Sequence, residues 1–311
     1  MDGGAQFTES PAVWTGSVQC ALTQFGLLRV TGEDAQGFLQ NLLSNDIREA
    51  HQTQAQLSSF NSPKGRMLAS FLIWQDTSGY VLQLPRSLAE MMRKKLSMYV
   101  LRSKVKVTDI SDAWVLIGLS GDLAMLPEAC PTLPEGNWGV AHSATVSVVR
   151  LSDTRCQLLT AVEHAPALWQ SLQRTAVSSA CWDWLTIQAG VPVILPATQE
   201  QFVPQMVNFA DLGGVNFKKG CYPGQEIVAR MQYLGKLKRR MYRAHLDGAA
   251  QAGDELFSAD MDGQASGMIV NVAPAPQGGY DVLAVLQISS RETQTIHWKS
   301  LQGEALTTLR G

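Results

Sequence analysis

The chain has no C-x-x-C pair and no H-x-x-x-H or H-E-x-x-H spacing. Its five cysteines (Cys20, Cys130, Cys156, Cys181 and Cys221) are scattered and odd in number. That argues against a structural zinc site and a self-contained four-cysteine cluster, both of which need closely spaced ligands. In a reducing compartment five free thiols are expected. A charge excess is also missing: 25 basic and 27 acidic side chains over 311 residues leave a net charge of −2. Bulk phosphate neutralisation needs a clear basic excess, so a general electrostatic nucleic-acid binder is excluded. No uncharged apolar run approaches the roughly 18 residues of a membrane helix. The segment Met1-Asp-Gly-Gly-Ala-Gln6 lacks the basic-then-apolar order of a signal peptide. No G-x-S-x-G, P-loop or G-x-G-x-x-G occurs, so no catalytic triad or nucleotide-phosphate loop is assigned. These absences predict a soluble, cytoplasmic protein with no membrane partner. With no coiled coil in view, a monomer is expected.

What remains reads as a folded core, since 45 % of residues are hydrophobic and 17 % charged. At about 150 residues per domain, the length predicts two domains. Phe25–Val30 reads as a strand, and Thr31 with Asp34 as a capping box. Ala35, Phe38, Leu39, Leu42 and Leu43 then mark one helical face. Met67–Trp74 and Tyr80–Leu84 are strand-like runs joined by a turn at 75–79. Ser87 with Glu90 predicts a second cap, followed by the stripe Leu88, Met91, Met92, Leu96 and Tyr99. Lys104–Thr108, Trp114–Leu119, Ala144–Leu151 and Gln157–Val162 read as strands, and Ala167–Arg174 as a helix. This rhythm favours a mixed α+β architecture with antiparallel sheets over a doubly wound parallel one. After about Met241 only strands are legible (Tyr242–Leu246, Met268–Val272, Tyr280–Ile288), predicting a small β-barrel or sandwich. The boundary is expected in Lys236–Arg240, dividing the chain into 12–238 and 239–311.

The most distinctive segment is 201–230, with Gly213, Gly214, Gly220 and Gly224 close together. Cys221 follows Lys218, Lys219 and Gly220. Nearby cations favour a thiolate, so Cys221 reads either as a reactive thiol or as a small residue in a tight turn. Glu226 reads as a partner of Lys219 or Arg230, or as a carboxylate at a helix start. Between Lys218 and Arg243 stand eight basic residues and one acid. That excess suits an anionic ligand tail, a nucleic acid or an acidic partner, and equally a solvated face. Trp182 and Trp184, at i and i+2 on a helix, point to different sides. One is expected in the core and the other at a pocket, where a flat ligand would stack. His245 and His297 have no carboxylate at a recognisable spacing.

Lys219-Gly-Cys-Tyr-Pro-Gly-Gln-Glu226 resembles the K-G-C-[YF]-x-G-Q-E signature of the YgfZ family, folate-binding relatives of the glycine-cleavage T-protein. Ala189-Gly-Val-Pro-Val193, Phe202-Val-Pro-Gln-x-x-Asn208 and Leu212-Gly-Gly-Val-Asn-Phe-Lys218 match that family's order, and the region from Val30 to Asp46 matches more weakly. The resemblance runs from about Phe25 to Arg240. It implies two interleaved ferredoxin-like α+β units of a T-protein-like folate-binding fold, followed by a small C-terminal β-barrel, around a central hole. It further implies tetrahydrofolate as cofactor and support of iron–sulfur client enzymes, among them tRNA-modifying methylthiotransferases. By resemblance, Cys221 is the functional thiol, a transient cluster ligand at most, with Lys219, Gln225 and Glu226 shaping its surroundings. Phe25, where some members carry tryptophan, and Trp182 flank the implied folate pocket, with Gln188, Gln205 and Asn208 as further binding residues.

The competing reading is an aminomethyltransferase or demethylase of the T-protein type, which needs a carboxylate near the reacting folate nitrogen. Ala69 and Ser70 stand where the aspartates would be, and Gln188 replaces the glutamate of the L-x-x-E-A-G element. Neither Ala69 nor Ser70 can act as a carboxylate base, so the sequence turns against that chemistry. A third reading, RNA tracking along 218–243, ranks last because no aromatic stacking pattern accompanies the basic residues. That stretch could instead hold a folate polyglutamate tail.

Overall fold

The computed structural model describes residue 14 and residues 16–310; residues 12 and 13, which open the expected first region, lie outside them. The chain starts with β1 (Val18–Ala21) and β2 (Phe25–Thr31), followed by α1 (Ala35–Gln40), β3 (Gln56–Asn61) and β4 (Met67–Asp76). Next come β5 (Gly79–Pro85), α2 (Arg86–Ser97) and β6 (Lys106–Asp109). Strands β2 to β6 form a five-stranded antiparallel sheet in the order β3-β4-β5-β2-β6. Helices α1 and α2 close one face over a core that includes Leu28, Phe38, Leu39, Leu82, Leu88, Met92 and Leu96. Residues 67–74 of β4 are buried without interruption, so both faces of that strand are covered. That is why this run is apolar but for Ser70 and does not alternate.

Both expected caps are displaced. Thr31 ends β2, and the first residue before α1 is Asp34, whose carboxylate accepts from the Lys104 backbone N–H and does not cap the helix. Helix α2 starts directly after Pro85, before the predicted cap at Ser87, and Glu90 instead pairs with Arg93 and Lys94. Of the predicted stripe, Leu88, Met92 and Leu96 are buried, whereas Met91 and Tyr99 are exposed.

Strands β7 (Trp114–Ser120), β8 (Val140–His142), β9 (Val146–Ser152) and β10 (Arg155–Ala161) follow, with helix α3 (Ala165–Ser171), β11 (Thr175–Val177) and helix α4 (Ser179–Gln188). They build a second sheet in the order β11-β1-β7-β10-β9-β8. Strand β1 lies antiparallel to β7 and parallel to β11, so the first described strand belongs to the second unit and the two units interleave. After α5 (Gln225–Tyr233), strands β12 (Arg239–Leu246), β13 (Glu255–Phe257), β14 (Ala265–Pro274) and β15 (Tyr280–Gln287) enter a third sheet. A short helix α6 (Ile288–Thr293) comes before its last strands, β16 (His297–Trp298) and β17 (Thr307–Arg310). The sheet order is β16-β13-β14-β15-β12-β17, with Leu246, Leu256, Ile269, Val282 and Leu286 in its core. Helix α6 corrects the all-strand expectation for this region. Its six residues bury Ser290 and no large apolar side chain, too little for a helical stripe to show.

Candidate functional site

A cavity of about 350 Å³ lies between the first two sheets and helix α4, within the roughly 300–1,000 Å³ of small-molecule sites. Its walls come from Phe25 of β2, Leu57, Phe71 and Leu72 of β3 and β4, Trp138, Trp182 of α4, and Val191–Val193. Ser70, Gln83, Asn137, Ser152, Arg155, Gln157 and Thr186 bring the polar groups, and no Asp or Glu of the described residues lines it. The sheets meet across it through Gln157 Nε2, which donates to Gln83 Oε1 at 2.6 Å. Each amide has then used one group, leaving one NH2 and one carbonyl oxygen of the pair for a ligand. Ser70 Oγ accepts from the backbone N–H of Ile194, so it fastens the 191–195 segment to β4.

Arg155 is the cation of this cavity and is 8 % exposed. It donates to Leu185 O at 2.9 Å and to Thr186 Oγ1 at 3.1 Å, both near the C-terminal end of α4, where backbone carbonyls favour a cation. Its Nε is buried without a partner, and no carboxylate of the described residues pairs with it. Burial pulls its pKa down to about 10, so it remains charged at neutral pH. The Cys181 thiol lies close enough to favour its charge, but no carboxylate of the described residues does, and a buried cation so placed is retained where a ligand supplies the counter-charge or acceptor.

Trp182 borders the cavity and is 2 % exposed. The Arg155 guanidinium lies 4.3 Å from its ring centroid, and Gly118 of β7 lies against the ring as well. A Cβ at Gly118 would come within 2.5 Å of the ring. Trp182 therefore positions Arg155, and the half-buried Phe25 and Trp138 are the rings open to a flat ligand. Gly118→Ala is expected to displace the indole and cost about 1–3 kcal/mol. A lowered unfolding midpoint with a shifted tryptophan emission would show this, and an unchanged midpoint would contradict it.

The structure gives Gln188, Gln205 and Asn208 partners away from the cavity wall. Gln188 Nε2 donates to Asp281 Oδ2 at 2.7 Å, and its Oε1 accepts from Arg243, so it bonds α4 to the third sheet. Trp184 Nε1 donates to the same Asp281 oxygen. His245 Nδ1 lies 2.8 Å from Asp281 Oδ1, which supplies the carboxylate partner that sequence spacing did not reveal. The pair sits across two strands, 36 residues apart in sequence but directly opposite in register. Gln205 Nε2 donates to Val228 O, and Asn208, left-handed at φ 56°, donates to Met241 O. These two side chains tie the 201–208 segment to α5 and β12.

Cys221 is exposed and lies outside this cavity. Its loop is fastened to the segment after α1. Asn45 Nδ2 donates to Gly213 O, Ser44 Oγ to Gly214 O, and Asn216 N to Ser44 O. Lys219 Nζ donates to the carbonyls of Gln40, Leu43 and Asn45 at 2.6, 2.5 and 3.1 Å. Its ammonium is thus spent on backbone, and burial brings its pKa down to about 8. Gln225 Nε2 donates to Lys219 O, closing the turn. Gly224 (φ 77°) is required there, because a Cβ would lie 2.4 Å from Ser62 O. Glu226 stands exposed in the first turn of α5, and no ion pair joins it to Lys219 or Arg230 among the described residues. The loop thus presents Cys221 outward on a rigid base. Among the described residues no cluster of three or more His, Cys, Asp or Glu could hold a metal ion.

This architecture has known counterparts. The glycine cleavage system aminomethyltransferase T from Bartonella henselae superposes with a TM-score of 0.77 at 15 % identity, covering 97 % of this chain and 87 % of that one. The GCVT N-terminal domain family matches residues 5–126. The chain is therefore a protein of the T-protein-like α+β fold, two interleaved units with a C-terminal β-domain. It is 33 % identical over 277 residues to the tRNA-modifying protein YgfZ of Hamiltonella defensa, covering 85 % of this chain and 82 % of that protein. To the tRNA-modifying protein YgfZ of Photorhabdus laumondii it is 36 % identical over 245 residues, covering 76 % and 74 %. The chain belongs to the YgfZ family. No helix among the described residues is long and apolar enough to cross a membrane.

Proposed function

We propose that this chain is a tetrahydrofolate-binding factor that supports the assembly or repair of iron–sulfur enzymes, tRNA-modifying methylthiolation enzymes among them, with Cys221 as its functional thiol. The observation that carries the folate part is the central cavity, apolar and edged by Phe25, with a buried guanidinium that no carboxylate neutralises. A reduced folate suits it, since its flat ring stacks on Phe25 and its oxygens accept from Arg155 and the Gln83–Gln157 pair. The relatives named as tRNA-modifying proteins support the client class. One exposed cysteine supplies one ligand of four, so any cluster is shared with a client or carrier. The basic stretch 218–243 suits a polyglutamate tail, and the protein acts as a monomer.

Aminomethyl transfer fits less well, because Ala69 is fully buried, Ser70 holds Ile194, and the cavity wall has no carboxylate to serve as base. The test of the thiol is complementation of a deletion strain with wild type, Cys221→Ala and Cys221→Ser, reading methylthiolated tRNA. Both variants are expected to fold normally and to restore less than about a tenth of the wild-type product. Full restoration by Cys221→Ala would remove the thiol from the account.

A further inference from the structure

A second cavity of about 350 Å³ also borders Phe25. It shares Phe25, Pro85, Thr186, Val191 and Val193 with the central one and adds Gln24, Arg86, Asp183 and Asn271. Asp183 and Thr186 are three residues apart on α4, on one face of the helix. Among the described residues the Asp183 carboxylate receives one hydrogen bond, from Gln24 Nε2 to Oδ1 at 2.8 Å. An ionised carboxylate has about four acceptor positions, so most are unfilled. Gln24 Oε1 is buried and has no partner. Its orientation is fixed, because turning the amide would set its oxygen against the Asp183 carboxylate.

Of the other polar groups on this wall, Ser87 is exposed, Thr186 bonds Arg155 and Trp182 O, and Arg86 and Asn271 are committed as well. Arg86 bonds Ser111 O and pairs with Asp112, while both ends of the Asn271 amide bond Val193. From the elements packed on α4, β1 brings Cys20, whose thiol donates to Ser178 O, and β15 brings Asp281, held by His245, Trp184 and Gln188. The cavity thus holds one under-used anionic acceptor, Asp183, backed by the buried Gln24 oxygen, and its walls join apolar side chains (Ile187, Val191, Val193, Leu195 and Val272) to the polar Arg86, Ser87, Thr186 and Asn271. A purely structural side chain here would need no charge, and asparagine would hold Gln24 equally well.

We propose that Asp183 and Gln24 form a subsite for a cationic or N–H-bearing nitrogen group, an ammonium or amidine-type end, beside Phe25. A planar N–H pair would satisfy the carboxylate while the apolar walls exclude water and strengthen the contact. With Arg155 in the first cavity and Asp183 in the second, both bordered by Phe25, the two cavities together select a ligand with an acceptor end and a donor end. Burial raises the Asp183 pKa to about 6, and a bound cation needs the ionised form. Affinity is therefore expected to be full above that value and to fall as the pH drops below it.

The test is calorimetric titration with benzamidine, a flat amidinium, at pH 7.5 and pH 5, on the wild type and Asp183→Asn. Wild type is expected to bind at pH 7.5 and to lose about tenfold in affinity at pH 5, with Asp183→Asn weak and equal at both. Affinity unchanged by the substitution, or no binding by a folded wild type, would overturn the subsite. Tetrahydrofolate added to the benzamidine complex distinguishes the two sources of the nitrogen group. Competition places it on the folate itself, and independent binding places it on a separate amine. Loss of folate binding alone would count against the proposed function and leave this subsite standing.

Discussion

Replacing Lys219 with methionine is expected to destabilise the protein by about 3 kcal/mol and to loosen the Cys221 loop, with little change in apolar packing. The ammonium serves three carbonyls in the segment after α1, and each charge-assisted bond is worth about 1.5–3 kcal/mol. Methionine fills the space but leaves those carbonyls undonated, while sparing the cost of burying a charge. The three bonds outweigh that relief. The pH dependence has a definite sign. Lys219 titrates near 8 when folded against 10.5 as a free side chain, so between those values the unfolded chain binds more protons. The wild type's margin over the variant therefore grows as the pH rises from about 8 to 10.5. Denaturant unfolding at pH 7 and 10, with hydrogen exchange in segments 40–46 and 213–224, would show both effects. Equal stability of the two proteins would mean the signature lysine does not clamp this loop.

Arg155→Met is expected to act in the opposite way, removing ligand binding by a hundredfold or more while leaving stability equal or higher. Its two hydrogen-bond partners are not orphaned by the change. Leu185 O still accepts from Ala189 N, and the Thr186 hydroxyl still donates to Trp182 O. Methionine is of similar length and apolar, so the buried charge and its unpartnered Nε disappear together. Replacing buried ionic groups with packed apolar chains of similar volume is often neutral or stabilising by about 1–4 kcal/mol. Such a gain in stability with loss of binding marks a group kept for function. A large fall in the unfolding midpoint would instead make Arg155 a structural bond to α4.

Much of this was visible in the residues themselves. The Met67–Trp74 run and the Ala35–Leu43 stripe are dense apolar patterns, and the structure buries both sets fully. The K-G-C-Y-P-G-Q-E segment and the Asn45–Asp46 region match the same family, and the structure shows why they occur together: Ser44, Asn45 and the 40–45 carbonyls hold the loop of Cys221. Groups that depend on cross-strand or between-sheet placement left no local trace. Gln157 meets Gln83 across 74 residues, and His245 meets Asp281 through strand register alone. Arg155 stood in an ordinary strand pattern, and only burial without a carboxylate marks it. A strand-borne arginine followed by an apolar run was the available signal, and it is a weak one. Gln188 took its expected role from a motif, whereas the fold turns its amide toward Asp281.

The most direct test of the central claim is an anaerobic calorimetric titration of tetrahydrofolate into the wild type, Phe25→Ala and Arg155→Met, each first shown to be folded. The account predicts micromolar binding by the wild type, with a loss of at least about tenfold in Phe25→Ala and more in Arg155→Met. Binding that both variants retain, or a folded wild type that takes up no tetrahydrofolate, would contradict it and detach Cys221 from any folate site.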